Sequence, residues 1–360
     1  MGVEIKLTDK EFPVSPVFID FLHRYLQDLP FETNWHDQLN EELVTPQDGF
    51  QEKATALAAQ VLENPAGQQV IYRGYELLTA ILTGVPEKLK LFQDRYRFIC
   101  VVGCPRHGGS YLAKQLFLAL GMAADEVPNV IAHDGFPDAS PFDLKDGYNA
   151  HTNMTHNMAE YLAMVEIFFS NSRLVNNHII VPKKATKAAY HGAFFNTVFG
   201  AHAEYIVTLR HPLAAAISTY EKSTGLPEDG RFSVRGNIEE WARRDNVFTG
   251  EDAEGIFRRD YFDVYLRYWE QYHYNLALTG LTANKNWTVV VYGRERMMEQ
   301  AQTFFKRFRS RGSAEEFRVF DNRSRHPEWS KKAEQAIARV SAVWRTVGLV
   351  LPRDEIMECW

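Results

Sequence analysis

Residues 101–120 read VVGCPRHGGSYLAKQLFLAL, and the reading of this stretch decides the class of the whole chain. The apolar run stops at Gly103, two more glycines follow at Gly108 and Gly109, and Leu112, Leu116 and Leu120 then recur every four residues. That pattern predicts a buried strand turning through a glycine-rich loop into a helix with one apolar stripe. Glycines at such a turn let backbone approach an anion, and the first N–H groups of the helix point at it. Against the phosphate-loop pattern G-x-x-x-x-G-K-[ST], Gly103, Gly108 and Ser110 fall in register, but Gly109 stands where lysine is required. A cation is present three residues earlier, at Arg106. The missing lysine is the group that reaches the β- and γ-phosphates of a triphosphate while Ser/Thr holds Mg²⁺. Arg106 instead suits a shorter phosphate, through a charge-assisted fork. A glycine-rich turn without ligand would carry the same glycines, so the loop alone leaves both readings open.

Working outward, FICVVGC, HIIVP, YIVTL and WTVVVY are short Ile- and Val-rich runs of the kind that form strands buried on both faces. Helical segments separate them: SYLAKQLFLALG, MAEYLAMVEIFF, PLAAAISTYEKS and YFDVYLRYWEQYHYNLAL. The alternation predicts a three-layer α/β/α domain with a central parallel sheet over residues 96–360. Ligands of such sheets bind beyond the carboxyl ends of the strands, here the loops after Gly103, Pro182, Leu209 and Tyr292. Residues 1–95 read as a helical region, with Ser15 as an N-cap and Pro16 at the first helical position of SPVFIDFLHRYLQDL. Residues 221–258 are polar and glycine-containing, as in a mobile loop or lid. Tyr261, Tyr265, Tyr268, Trp269 and Tyr272 share a helical face and read as core packing, with part of an acceptor pocket as the lesser reading.

The chain has 360 residues, 45% of them apolar and 24% charged, ordinary values for a globular protein. A net charge of −6 argues against a general nucleic-acid binder, although local basic groups can still hold a small anion. No apolar run long enough to span a membrane exists, and MGVEIKLTDKEF has no apolar signal region. Three cysteines, Cys100, Cys104 and Cys359, are too few for a disulfide framework. A cytoplasmic protein is expected, with the sequons at Asn153, Asn286 and Asn322 as chance matches. No metal site is expected, because the twelve histidines form no H-E-x-x-H and no C-x-x-C occurs.

A second segment, EYIVTLRHPLAAAISTY over residues 204–220, is a strand that ends at Arg210 and turns into a helix at Pro212. Ser218, on the second helical turn, can converge with Arg210 on one phosphate; an arginine leaving a strand can equally serve a salt bridge. Taken together, the two segments resemble a known family. CPRHGGSYL is similar to the 5′-phosphosulfate loop of the sulfotransferases that use 3′-phosphoadenosine 5′-phosphosulfate (PAPS), roughly P-[KR]-S-G-T-[ST]-x-L. LRHPLAAAISTY resembles their 3′-phosphate segment. The likeness spans about residues 97–345 in strand order, with only these two motifs specific. Such a donor carries a phosphate at each end of one nucleoside and no triphosphate, so it needs neither the phosphate-loop lysine nor a metal.

The resemblance implies a P-loop-like sulfotransferase fold and transfer of a sulfuryl group to a hydroxyl or amine, releasing adenosine 3′,5′-bisphosphate. It implies that Arg106, His107, Gly108, Gly109 and Ser110 surround the 5′-phosphosulfate, that Tyr111 lies beside adenine, and that Arg210 and Ser218 bind the 3′-phosphate. His107 and Gly109 depart from the family's serine and threonine. HIIVPKKATKAAYH resembles the segment whose lysine offsets charge on the transferring group, with Lys183 or Lys184 in that place. The family's Thr-His is absent there, since Ala185 and Thr186 follow. His133 is then the favoured general base, with Asp134, His178 and His191 as alternatives. Tyr292, Arg294 and Glu295 occupy the ground of the family's Y-E-D, and Arg323 and Arg325 are implied to clasp the 3′-phosphate. The implied acceptor is a small molecule, a lipid head group or a carrier-bound intermediate. An ATP-dependent phosphotransferase and a non-catalytic nucleotide-binding protein are the rival readings.

Overall fold

The computed structural model describes residues 14–31, 50–123, 126–133, 136–137, 147–222, 261–319 and 327–359. Among the described residues four helices come first: α1 (Pro16–Leu26), α2 (Phe50–Glu63), α3 (Pro65–Thr83) and α4 (Pro86–Arg95). The Ser15 hydroxyl accepts the Phe18 N–H at 3.2 Å, the cap expected from its place before Pro16. Gly84 ends α3 with φ +63°, a conformation that suits a residue without Cβ. Helix α4 falls within the region 1–95 expected to be helical and runs straight into β1 (Tyr96–Gly103).

The remaining elements alternate. After β1 come α5 (Gly109–Ala119), the short α6 (Asn129–Ala132), α7 (Gly147–Phe168), the two-residue β2 (Leu174–Val175), β3 (His178–Lys184), α8 (Gly192–Phe199), β4 (Glu204–Leu209) and α9 (Pro212–Lys222). Then follow α10 (Tyr261–Leu278), β5 (Trp287–Val291), α11 (Arg294–Arg307), α12 (Ser330–Thr346) and α13 (Arg353–Glu358). The five strands form one sheet in the order β2-β3-β1-β4-β5. β3, β1, β4 and β5 are parallel, and only β2 runs the other way. Central strand β1 is buried almost throughout, as its unbroken apolar run requires. Apolar side chains from α1 to α13 join in one continuous core. Among the described residues no helix is long and apolar enough to cross a membrane.

One strand differs from expectation. β3 does not stop at Pro182 but carries both lysines, with Cys100 opposite Lys183 and Val101 opposite Lys184. β2 pairs with β3 only as far as Ile179, so Pro182 sits beyond the doubly flanked part, where strands tolerate proline. Gly103 pairs with Thr208 across β1 and β4, and a Cβ there would stand 1.9 Å from the Thr208 hydroxyl oxygen. Only glycine lets the two strand ends close in this way.

One buried carboxylate helps pin the helical region to the rest, beside the Arg73–Glu166 ion pair and the shared apolar core. Glu160 of α7 is 2% exposed and accepts the Ser15 N–H at 2.7 Å and the Ser15 hydroxyl at 2.5 Å. Burial pushes its carboxyl up to about 7 from an ordinary 4.5. The folded chain therefore keeps a proton that the unfolded chain gives up near pH 4.5. This contribution to stability is complete below that pH and is lost by about 3 kcal/mol as pH rises to 7. Urea unfolding of wild type and Glu160→Gln between pH 4.5 and 8 is expected to show the variant gaining on wild type as pH rises. Parallel profiles would refute the assignment.

Candidate functional site

The carboxyl ends of β1, β3, β4 and β5 bring together segments far apart in sequence. The loop after β1 is built on Gly108, which sits at φ +86° as the cap of α5 and offers no side-chain oxygen to the helix start. The first N–H groups of α5 are thus left toward the mouth of the loop, where the helix dipole favours an anion. Arg106 lies at φ +68°, a conformation that costs an L-residue about 1–2 kcal/mol and needs external support. Support comes from three sides. The Cys104 carbonyl accepts the His107 N–H at 3.2 Å, the Pro105 carbonyl accepts the Tyr265 hydroxyl at 3.4 Å, and the Arg106 carbonyl accepts Nη1 of Arg210 at 3.1 Å.

That strained residue points its side chain outward. Arg106 Nε donates to the Ser218 hydroxyl of α9 at 3.0 Å, so the two segments singled out in the sequence meet directly. Ser110, on the first turn of α5, is exposed beside them. Behind them, Arg210 is 2% exposed and lies over the Tyr292 ring at 3.9 Å. Its Nε and Nη2 are buried and find no acceptor among the described residues. Burial lowers its proton affinity, yet a guanidinium remains charged. A buried cation with open N–H groups is costly alone and is stabilised by an anion. The Thr208 hydroxyl is also buried without a partner among the described residues, close under Gly103 and 3.9 Å from a Cβ placed on Gly109.

The lysine pair on β3 is resolved by alternation of strand side chains. Lys184 is the one beside the loop: its Cε lies 3.8 Å from a Cβ placed on Gly109, and its Nζ is 3.1 Å from His133 Nε2. Lys183, expected beside the transferring group, instead turns into the protein and donates to the carbonyls of Ile131, His133 and Phe136. His107 needs a similar correction. Its imidazole faces inward, with Nδ1 3.0 Å from the Thr208 carbonyl and the ring 5.6 Å from that of His273. Burial first, and His273 second, hold it well below the usual histidine range, so it is a neutral core residue. It does not line the cradle.

Tyr111 donates its hydroxyl to the Glu315 carbonyl at 2.7 Å and packs on Phe317, which in turn meets Tyr292. These rings form an aromatic wall on the Gly108 side of the loop. His178 opens β3, at the opposite end of the sheet from the cradle, with Nδ1 on the Asn176 carbonyl. His191 starts α8 after the turn that follows β3. Arg294 pairs outward with Glu316. Asp134, Arg323 and Arg325, and the lid expected at 221–258 apart from Glu221 and Lys222, lie outside the described residues. Among the described residues no cluster of three or more His, Cys, Asp or Glu is placed to hold a metal.

Thr208, Tyr265 and Phe317 were missed in the sequence. Thr208 carried a signal, as the one aliphatic hydroxyl inside the apolar run YIVTL. Tyr265 belongs to the stripe read as core: it is fully buried, yet its hydroxyl props the loop. Two glycine variants separate packing from ligand space. Gly103→Ala must push β4 away and is expected to cost about 1–3 kcal/mol in urea unfolding. Gly109→Ala meets Val101, Lys184 and Thr208 only at 3.5–3.9 Å and is expected to stay within about 1 kcal/mol of wild type. Equal losses would refute the close approach at Gly103.

Comparison of the chain with known protein families, with curated proteins and with solved structures finds no match, and the geometry of this cradle alone carries the functional reading.

Proposed function

We propose that this protein transfers a sulfuryl group from PAPS to a hydroxyl or amine acceptor. The observation that carries the reading is the bond from Arg106 to Ser218, with the open N–H groups of Arg210 buried behind it. It unites at one place the two segments that resemble the donor's 5′- and 3′-phosphate sites. The parallel sheet, with both segments at the carboxyl ends of adjacent strands, supports the three-layer sulfotransferase-type fold.

In this reading Arg106, Ser110 and the first N–H groups of α5 hold the 5′-phosphosulfate, and Arg210 and Ser218 hold the 3′-phosphate. The aromatic wall of Tyr111, Tyr292 and Phe317 bounds the nucleoside. Arg323 and Arg325 remain proposed clasps of the 3′-phosphate. The acceptor oxygen attacks sulfur in line while the bond from sulfur to the 5′-phosphate oxygen breaks. The acceptor's proton passes to His133 Nε2, and the electron pair leaves with the phosphate of adenosine 3′,5′-bisphosphate. Arg106 and the helix start offset the charge that grows on the leaving group, and Lys184 offsets that on the equatorial oxygens. Lys184 takes the role first expected of Lys183. Before the donor arrives its ammonium bonds His133 Nε2; moving to a sulfuryl oxygen would free that nitrogen to accept the proton.

Titration calorimetry with adenosine 3′,5′-bisphosphate tests the donor site. Wild type is expected to bind it in the micromolar range without metal, Arg106→Ala about 10–100-fold more weakly, and Ser218→Ala by a smaller factor. Arg106 is exposed and Ser218 only partly buried, so both variants keep the core. Tight, Mg²⁺-dependent binding of ATP, indifferent to both substitutions, would overturn the proposal in favour of a phosphotransferase.

A further inference from the structure

We propose that Lys183 is a positioning residue: its buried ammonium fixes the carbonyls of Ile131, His133 and Phe136 and thereby sets His133 beside Lys184. The purpose of this clamp rests on the transfer reaction proposed above, whereas its existence rests on geometry alone.

Lys183 is 1% exposed in the middle of the protein. Its Nζ donates to the carbonyls of Phe136 at 2.8 Å, His133 at 3.0 Å and Ile131 at 3.4 Å. An ammonium has three N–H donors, and here three acceptors come from one short segment. The Tyr161 ring covers the same cation at 4.1 Å, and the Tyr161 hydroxyl donates to the Ile131 carbonyl at 3.1 Å. The carbonyls so held lie at the end of α6 and just beyond it, where His133 and Phe136 belong to no helix or strand. Irregular segments at a sheet end normally open at little free-energy cost. This one is tied at three points to a strand adjacent to the centre of the sheet.

Burying an ammonium is unfavourable before its bonds are formed, and an apolar side chain could have filled the space against Tyr161. What the charge provides and methionine would not is a fixed place for the carbonyls of Ile131, His133 and Phe136. His133 is the residue of that segment whose side chain faces the cradle group Lys184, at 3.1 Å. Adjacent lysines thus divide the work. Lys183 holds the backbone of His133, and Lys184 meets its imidazole. With Lys184 as donor, His133 Nε2 is the acceptor and Nδ1 carries the proton, the tautomer that a base acting through Nε2 needs.

The test compares wild type with Lys183→Met by amide hydrogen exchange and by histidine-selective ¹⁵N spectra, with His133→Gln used to assign the His133 signals. The expected result is exchange at 131–136 faster by at least about 10-fold in the variant. The His133 nitrogens are expected to shift from a single Nδ1–H tautomer toward an averaged mixture, and the bisphosphate dissociation constant to stay within about threefold, because Lys183 does not touch the cradle. Unchanged exchange and unchanged His133 signals would overturn the clamp. Should Lys183→Met fail to fold, lysine-selective ¹⁵N spectra of wild type decide: an ammonium resonance protected from exchange at neutral pH, missing from Lys183→Arg, supports the clamp, and its absence in wild type overturns it. Failure of wild type to bind the bisphosphate, with the exchange and tautomer changes still seen, would remove the transfer reaction and leave the clamp standing.

Discussion

Everything at the candidate site depends on how closely β4 approaches β1. Gly103 and Thr208 are register partners, and the hydroxyl oxygen of Thr208 fills the space in which a Cβ of residue 103 would stand. That contact places the end of β4 directly behind the loop that follows β1. Two residues on from Thr208, Arg210 reaches the Arg106 carbonyl and holds the loop in a conformation its own residues would not choose. Continuing from Arg210, α9 brings Ser218 over the loop to meet the Arg106 side chain. A single missing side chain thus lets segments about a hundred residues apart share one cradle.

The cradle is electropositive in a chain whose net charge is −6. Arg106, Arg210 and Lys184 converge on it, and the start of α5 adds its partial positive charge. Total charge gives no guide here, because a field is decided by nearby groups and by how far they are removed from water. Arg210 is the strongest member for that reason: it is buried, stacked on Tyr292 and has two nitrogens open among the described residues. Behind the loop, His107 and His273 are both buried, and burial drives His273 to about 4. They add bulk, not charge. Behind the loop, Arg210 is thus the charged group and the two imidazoles are neutral packing.

Sequence by itself determined which stretches form strands and helices and which two loops meet in the cradle. Hydrophobic period and punctuation are local properties, so Ser15–Pro16, the glycines at 103, 108 and 109 and the apolar runs could be read without neighbours. Arg106, Arg210 and Ser218 were legible through the resemblance of their two segments to one family pattern, since an arginine leaving a strand could by itself equally serve a salt bridge. The direction of each side chain was decided only by the tertiary structure. Lys183 and Lys184 are equivalent as letters, but strand alternation sends one to the carbonyls of 131–136 and the other to the cradle. His107 sits in the loop, yet the turn at Gly108 rotates it against β4. Strand order, with β1 between β3 and β4, was likewise beyond the sequence, because pairing is a contest between surfaces distant along the chain. The physical reason is common to all three: a residue's type is covalent and local, whereas its facing and its burial are set by what packs against it.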